Sequence, residues 1–256
     1  MKKENIILST IILSVFFIVF GCANLNKSKL VDAGGKAAQA ALLTDAEINQ
    51  LSVEYIAYSD KENQLCKDTD PNQKKYTDRL NRIVGSANTL NGKKLDIKVY
   101  YSSTQNAFAC ANGSIRVYSG LMDIMSDDEL FGIIGHEIGH IANKDTKEAF
   151  RKALITSAAL DVVGSTGKTA ATLAESQLGG LASAYASAQF SQKQEYAADD
   201  YGYNYLKKNS KNPKAMASAL RTLQKLYDNP AERSKIAQMF STHPEAGKRA
   251  ARLEKK

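Results

Sequence analysis

His136, Glu137 and His140 are the residues of this chain best suited to chemistry: two of only three histidines stand four apart, with a glutamate directly after the first. On a helix that spacing puts both imidazoles on one face, where one zinc ion can take a nitrogen from each and a polarised water can meet the glutamate. The chemistry is metal-assisted hydrolysis. The surrounding residues supply the helix it needs. Ser126-Asp127-Asp128-Glu129 has the form of a capping box, and Leu130, Ile133, Ile134, Ile138 and Ile141 recur at helical spacing. Gly132, Gly135 and Gly139 each cost roughly 1 kcal/mol relative to alanine in a helix interior, so this helix is expected to press closely on a neighbour.

A catalytic zinc site takes three protein ligands and keeps a fourth position open. One known extension of the motif has a glycine three residues on and a histidine six on, but Asn143 and Thr146 stand there. The remaining histidine, His243, lies far downstream, so a carboxylate is the better third ligand, and Glu195 fits best. Glu195 and Asp199 are four apart on a second expected helix. Glu195 can bind metal while Asp199 accepts the free ring N–H of a ligand histidine. Alone, such a pair would be a solvated acidic face, and only the upstream motif makes it a ligand set.

At this point the residues carry a resemblance. His-Glu-x-x-His, then Glu195 and Asp199 at long range, then His243-Pro244 with Arg249 six residues after the histidine, resembles the M48 family of zinc metallopeptidases from about residue 70 to 255. Asn106-Ala107-Phe108-Ala109 and the stretch from Ile115 to Met122 resemble the family's strand, hairpin and lead-in. The stretch from Ala188 to Glu195 is similar to the small bacterial lipoprotein members that face the periplasm.

The resemblance implies an α+β, zincin-like fold, mainly helical, with a small sheet or hairpin before the zinc helix. It implies one Zn2+ held by His136, His140 and Glu195, with Glu137 as the base that activates water. His243 is expected near the metal, where it either stabilises an oxyanion or blocks the open position, and Arg249 is expected to reach a peptide carbonyl or its oxyanion. Two plainer roles compete: Pro244 and Glu245 suit the first turn of a helix after His243, and Arg249 beside Lys248 and Arg252 suits a solvated face. Asn106 to Ala109 is expected to hold substrate as an extra strand, which favours unfolded or misfolded proteins over one sharp sequence. The rival class is a zinc-bound chaperone-like module, or a latent protease, in which His243 blocks the metal. Envelope protein partners are a further expectation.

The N-terminus indicates a compartment. Lys2 and Lys3 precede the apolar run Ile6 to Phe20, which is shorter than the ~20 residues of a spanning helix, and Gly21-Cys22 follows at once. A signal peptide (1–21) cleaved before a lipidated Cys22 is expected, then a lipidated tether (22–43) and a single metallopeptidase domain (44–256). Phe20 departs from the usual alanine or serine, and an uncleaved anchor is the other arrangement these residues allow. In a Gram-negative cell, Ala23 rather than aspartate after the cysteine favours the outer membrane, facing the periplasm. With Cys22 carrying lipid, Cys66 and Cys110 form an even pair in an exported chain, so a disulfide is expected rather than two buried thiols.

The net charge of +7 is compatible with nucleic acid or an anionic membrane surface, but the lysines are dispersed and no nucleic-acid motif accompanies them, which excludes that class. Residues 23 to 40 are small and polar. Thr44 to Glu47 caps a helix running to about Ser59, and Asp70-Pro71 begins another to about Ala87. Leu95 to Tyr101 alternates as a strand, and Ala107 to Ala111 and Ser114 to Tyr118 flank the hairpin signal Asn112-Gly113. Residues 153 to 188, rich in alanine, glycine and serine, are expected as helices with a flexible break. The Glu195 helix follows, then a helix begun by Asn212-Pro213 with Met216, Leu220, Leu223 and Tyr227 on its core face.

Overall fold

A computed structural model describes residue 35, residues 37–157, residue 159 and residues 173–256. The signal peptide, Cys22, most of the tether and the proposed break within 153–188 lie outside those residues. Thr44 accepts from the Glu47 backbone N–H while the Glu47 carboxylate accepts from Thr44 N–H, which starts α1 (Asp45–Glu62). Asp70 caps α2 (Pro71–Val84), with proline in the first turn, where its missing N–H costs nothing. This helix stops short of Ala87 because Gly85–Ala87 tighten into a 3-10 turn. A short hairpin, β1 (Thr89–Leu90) and β2 (Lys93–Lys94), turns on Asn91-Gly92, both at positive φ.

The principal sheet contains β3 (Asp96–Tyr100), β4 (Ala107–Ala109) and β5 (Ser114–Tyr118) in the order β3-β5-β4. The central strand β5 runs parallel to β3 and antiparallel to β4, so β4 is an edge. It ends at Ala109 rather than Ala111 because Cys110 to Gly113 form the turn, with Gly113 at φ +91°. Eight helices are described after the sheet: α3 (Ser119–Ile124), α4 (Asp127–Ala142), α5 (Asp145–Thr156), α6 (Glu175–Ala186), α7 (Gln192–Lys208), α8 (Ala215–Asp228), α9 (Arg233–Thr242) and α10 (Ala246–Leu253). Among the described residues no helix is long and apolar enough to cross a membrane.

Strand alternation divides the interior in two. Val99, Ala107, Ala109, Ile115 and Val117 face a larger core shared with α2, α4, α8 and α10, and Met216, Leu220 and Leu223 lie buried within it. Phe108 faces the other way, toward a second core built from α1, α5 and α6. Arg116 projects on that second side and is fully buried. It donates to Asp60 of α1 at 2.7 and 2.9 Å and to the Asp96 carboxylate at 2.8 Å, tying α1 to the sheet.

This division accounts for the cysteines. Cys66 packs against the first core and Cys110 lies in the second, so the sheet separates them, and both are free thiols. The expected Cys66–Cys110 disulfide is not formed.

The glycine-bearing helix does press on a neighbour, α7. A Cβ on Gly135 would come within 2.7 Å of the Tyr205 ring and 3.1 Å of Gly202 Cα, and one on Gly139 within 3.0 Å of Ala198 Cα. The two helices that carry the expected ligands are thus held backbone to backbone.

Candidate metal centre and cleft

Helix α4 starts at the expected capping box: Ser126 Oγ accepts from Glu129 N–H, and Glu129 returns the bond to Ser126 N–H at 2.8 Å. Leu130, Ile133, Ile134 and Ile138 are buried, which rotates His136, Glu137 and His140 into the interior. Helix α7 starts at a second capping box, Ser191 with Gln194, and points the fully buried Glu195 and Asp199 at α4. The histidine that ends α9, His243, enters from a third direction.

His136, His140, Glu195 and His243 each offer one ligand atom, and these four atoms all lie within 4.8 Å of one another. His136 Nε2 is 3.0 Å from His140 Nε2 and 3.4 Å from His243 Nδ1. Glu195 Oε1 is 3.4 Å from His140 Nε2 and 2.9 Å from His243 Nδ1. Donors about 2.0–2.1 Å from a tetrahedral zinc are about 3.3–3.4 Å from each other, so the cluster has the size and donor set of a zinc site. His243 stands at the fourth corner, where a catalytic site would otherwise admit water or substrate.

Both ligand imidazoles are fixed from behind. His136 Nδ1 meets Asp199 at 3.0 Å, as expected, and His140 Nδ1 meets Asp145 at 2.9 Å. Each Nε2 therefore points at the metal position. Burial opposes the charge on His140, but its bonds to Asp145 and Glu195 outweigh burial and push it up to about 9. Proton and metal consequently compete for the same nitrogen. Burial and the neighbouring His140 hold His136 below its ordinary value.

Arg249 departs from expectation. It is buried, donates to Asp199 at 2.9 and 2.6 Å, and pairs with Glu195 as well. Its guanidinium is committed behind the ligands, so it cannot also reach a peptide carbonyl. Burial alone would raise both carboxylates. The Arg249 charge instead takes Asp199 down to about 2, while His243 and, next, Arg249 hold Glu195 well below the usual carboxylate range. The expected helix start at Pro244 is also displaced. Glu245 adopts φ 62°, and α10 begins at Ala246.

In front of the cluster lies a cleft of about 230 Å3. It is lined by Glu137 and His243, by Asn106, Phe108 and Ala109 at the edge strand, and by Tyr185 of α6. Glu137 Oε1 is buried with no hydrogen-bond partner among the described residues, 3.7 Å from His243 Nε2. A buried carboxylate oxygen with no protein partner among the described residues, beside four convergent donors, is placed to take a proton from a water entering the cleft.

Three residues of the site were not anticipated. Asp145 follows His140 only because Lys144 turns the chain at φ 66° between α4 and α5. Phe190 stacks on the His140 ring at 3.9 Å, and Tyr185 comes from the composition-poor segment. No periodicity marks any of them.

The pattern of peptidase family M48 matches residues 71–256. The chain is 37% identical over 248 residues to metalloprotease LoiP of Escherichia coli (strain K12), covering 94% of this chain and 92% of that protein. It is 32% identical over 257 residues to metalloprotease YcaL of the same organism, covering 99% and 97%. It is also 32% identical over 184 residues to the beta-barrel assembly-enhancing protease of Yersinia pestis, covering 68% of this chain and 37% of that protein. With two histidines and a glutamate converging beside a free carboxylate base, the chain belongs to peptidase family M48 and is a metalloendopeptidase.

Proposed function

We propose that this protein is a zinc metalloendopeptidase of the bacterial cell envelope that cleaves unfolded or misfolded proteins as part of envelope protein quality control. The observation that carries the reading is Glu137 Oε1, without a protein partner among the described residues, in a cleft lined by the edge strand β4. His136, His140 and Glu195 would hold the zinc. When bound, zinc polarises the scissile carbonyl and lowers the pKa of a water to about 7. Glu137 takes the proton from the attacking water and delivers it to the leaving amine nitrogen. Asp199 and Asp145 keep both imidazoles in the ligating tautomer, and Arg249 keeps the buried Glu195 and Asp199 anionic. Asn106 to Ala109 pairs with the substrate main chain, which explains a preference for extended segments.

Cleavage before Cys22, lipid on that cysteine and retention at the outer membrane facing the periplasm complete the proposal. They are supported by the N-terminal residues and by the kinship with a beta-barrel assembly-enhancing protease. His243 favours a second reading, latency or a chaperone-like role, since its Nδ1 lies at the metal's fourth corner. Assaying casein cleavage by the wild type, Glu137→Gln and His243→Ala, each with zinc and with a chelator, separates these. Wild-type cleavage lost with chelator and reduced about 10²–10⁴-fold in Glu137→Gln supports the protease. Gain in His243→Ala indicates latency, and silence in all zinc-loaded forms supports the binding module.

A further inference from the structure

The free edge of β4 is already in use. Tyr118 N–H donates to Asn106 O, and Cys110 N–H to Ser114 O, so the backbone groups of 106, 108 and 110 face β5. By antiparallel alternation those of Ala107 and Ala109 face outward, away from β5, and Ala109 lines the cleft. The Tyr185 hydroxyl donates to the Ala109 carbonyl at 2.7 Å. Its ring packs edge-on against Tyr55 at 5.2 Å and Phe150 at 5.5 Å, which fixes the phenol oxygen in place. Tyr185, Ala109 and Glu137 line the same cavity.

We propose that Tyr185 is a positioning residue that latches the edge strand: its hydroxyl occupies the Ala109 carbonyl in the free protein and gives it up to a backbone N–H of an incoming extended peptide. The proposal rests on the strand-addition reading above and adds the group that competes with substrate for that edge. A segment that can offer several main-chain hydrogen bonds displaces the phenol, whereas an isolated side chain cannot. Tyr185 therefore discriminates by backbone conformation rather than by sequence.

The test uses the full chain in detergent, carrying Glu137→Gln so that the probe, a fluorescein-labelled casein peptide, stays intact. Its affinity is measured by anisotropy with Tyr185 and with Tyr185→Phe, which retains the ring and its packing. The phenylalanine form should bind about fivefold more tightly, the ratio expected when one ordinary competing hydrogen bond is removed. The same peptide N-methylated at successive residues should lose that gain at one position. Equal or weaker binding by Tyr185→Phe, with N-methylation still harmful at one position, overturns the latch and leaves strand addition standing. Indifference to N-methylation at every position overturns strand addition and the latch with it. In the background with Glu137 intact, a fall in kcat on Tyr185→Phe without any change in affinity would make the phenol a catalytic group and also overturn the proposal.

Discussion

Asp145 holds the outer nitrogen of His140 as Asp199 holds that of His136, yet the two differ in how visible they are in sequence. Asp199 shares a helical face with Glu195, so the spacing exposes it. Asp145 lies on a different helix from the histidine it serves, and the left-handed Lys144 that brings it back is a single backbone torsion with no residue pattern. Both should matter to the metal. Asp145→Asn is expected to weaken zinc binding by about 10–100-fold, measured by competition with a chromophoric chelator, while leaving the helices intact by circular dichroism. Arg249 shows the opposite limit. Its place near the site was implied by the family resemblance carried by His243-Pro244, but its direction depended on burial, since the buried Glu195 and Asp199 need a counter-charge.

Helix α4 was legible because its cap, spacing and apolar face agree, and α7 because Glu195 and Asp199 stand four apart on one face. The glycines of α4 add something spacing does not: they set how near the two ligand helices stand. Gly135→Ala would drive a methyl into the Tyr205 ring and push α7 outward. Overpacking of this kind costs about 1–3 kcal/mol. Urea unfolding should show that loss, and zinc affinity should fall with it because Glu195 moves. At the sheet, Arg116 sets a pH dependence. Burial raises Asp60, but hydrogen bonds from Arg116 and Tyr100 outweigh it, leaving its pKa below 3.8 when folded. A depressed carboxylate stabilises fully above its unfolded value and loses that contribution as pH falls through the folded one. Asp60→Asn should therefore be less stable than wild type near neutral pH, by roughly 1–3 kcal/mol, and the gap should narrow between about pH 5 and pH 3 in urea titrations. Of the elements that escaped notice, β1 with β2 and α3 are short, and a few residues carry little periodicity, while α5 and α9 each begin without a side-chain cap.

At the scale of the molecule, the sheet is a partition. Alternate residues of β3, β4 and β5 feed different cores, so a linear sequence shows where the strands are without showing that their two faces belong to separate interiors. That is why an even pair of cysteines suggested a bridge that the partition forbids. The cleft opens beside the edge of this partition, which explains how a strand from one layer, a helix from the other and a metal cluster from the first can share one cavity. Strand order also has a consequence for how the chain comes to be active. Within the principal sheet β3 and β4 both pair with β5, and β5 is the last of the three in sequence. An emerging or partly folded chain therefore cannot form the principal sheet until β5 arrives, and α4, with His136 and His140, follows almost immediately. Glu195, Asp199 and Arg249 arrive only with the last helices, so an emerging molecule carries the edge that would recruit other polypeptides before it has the machinery to cut them.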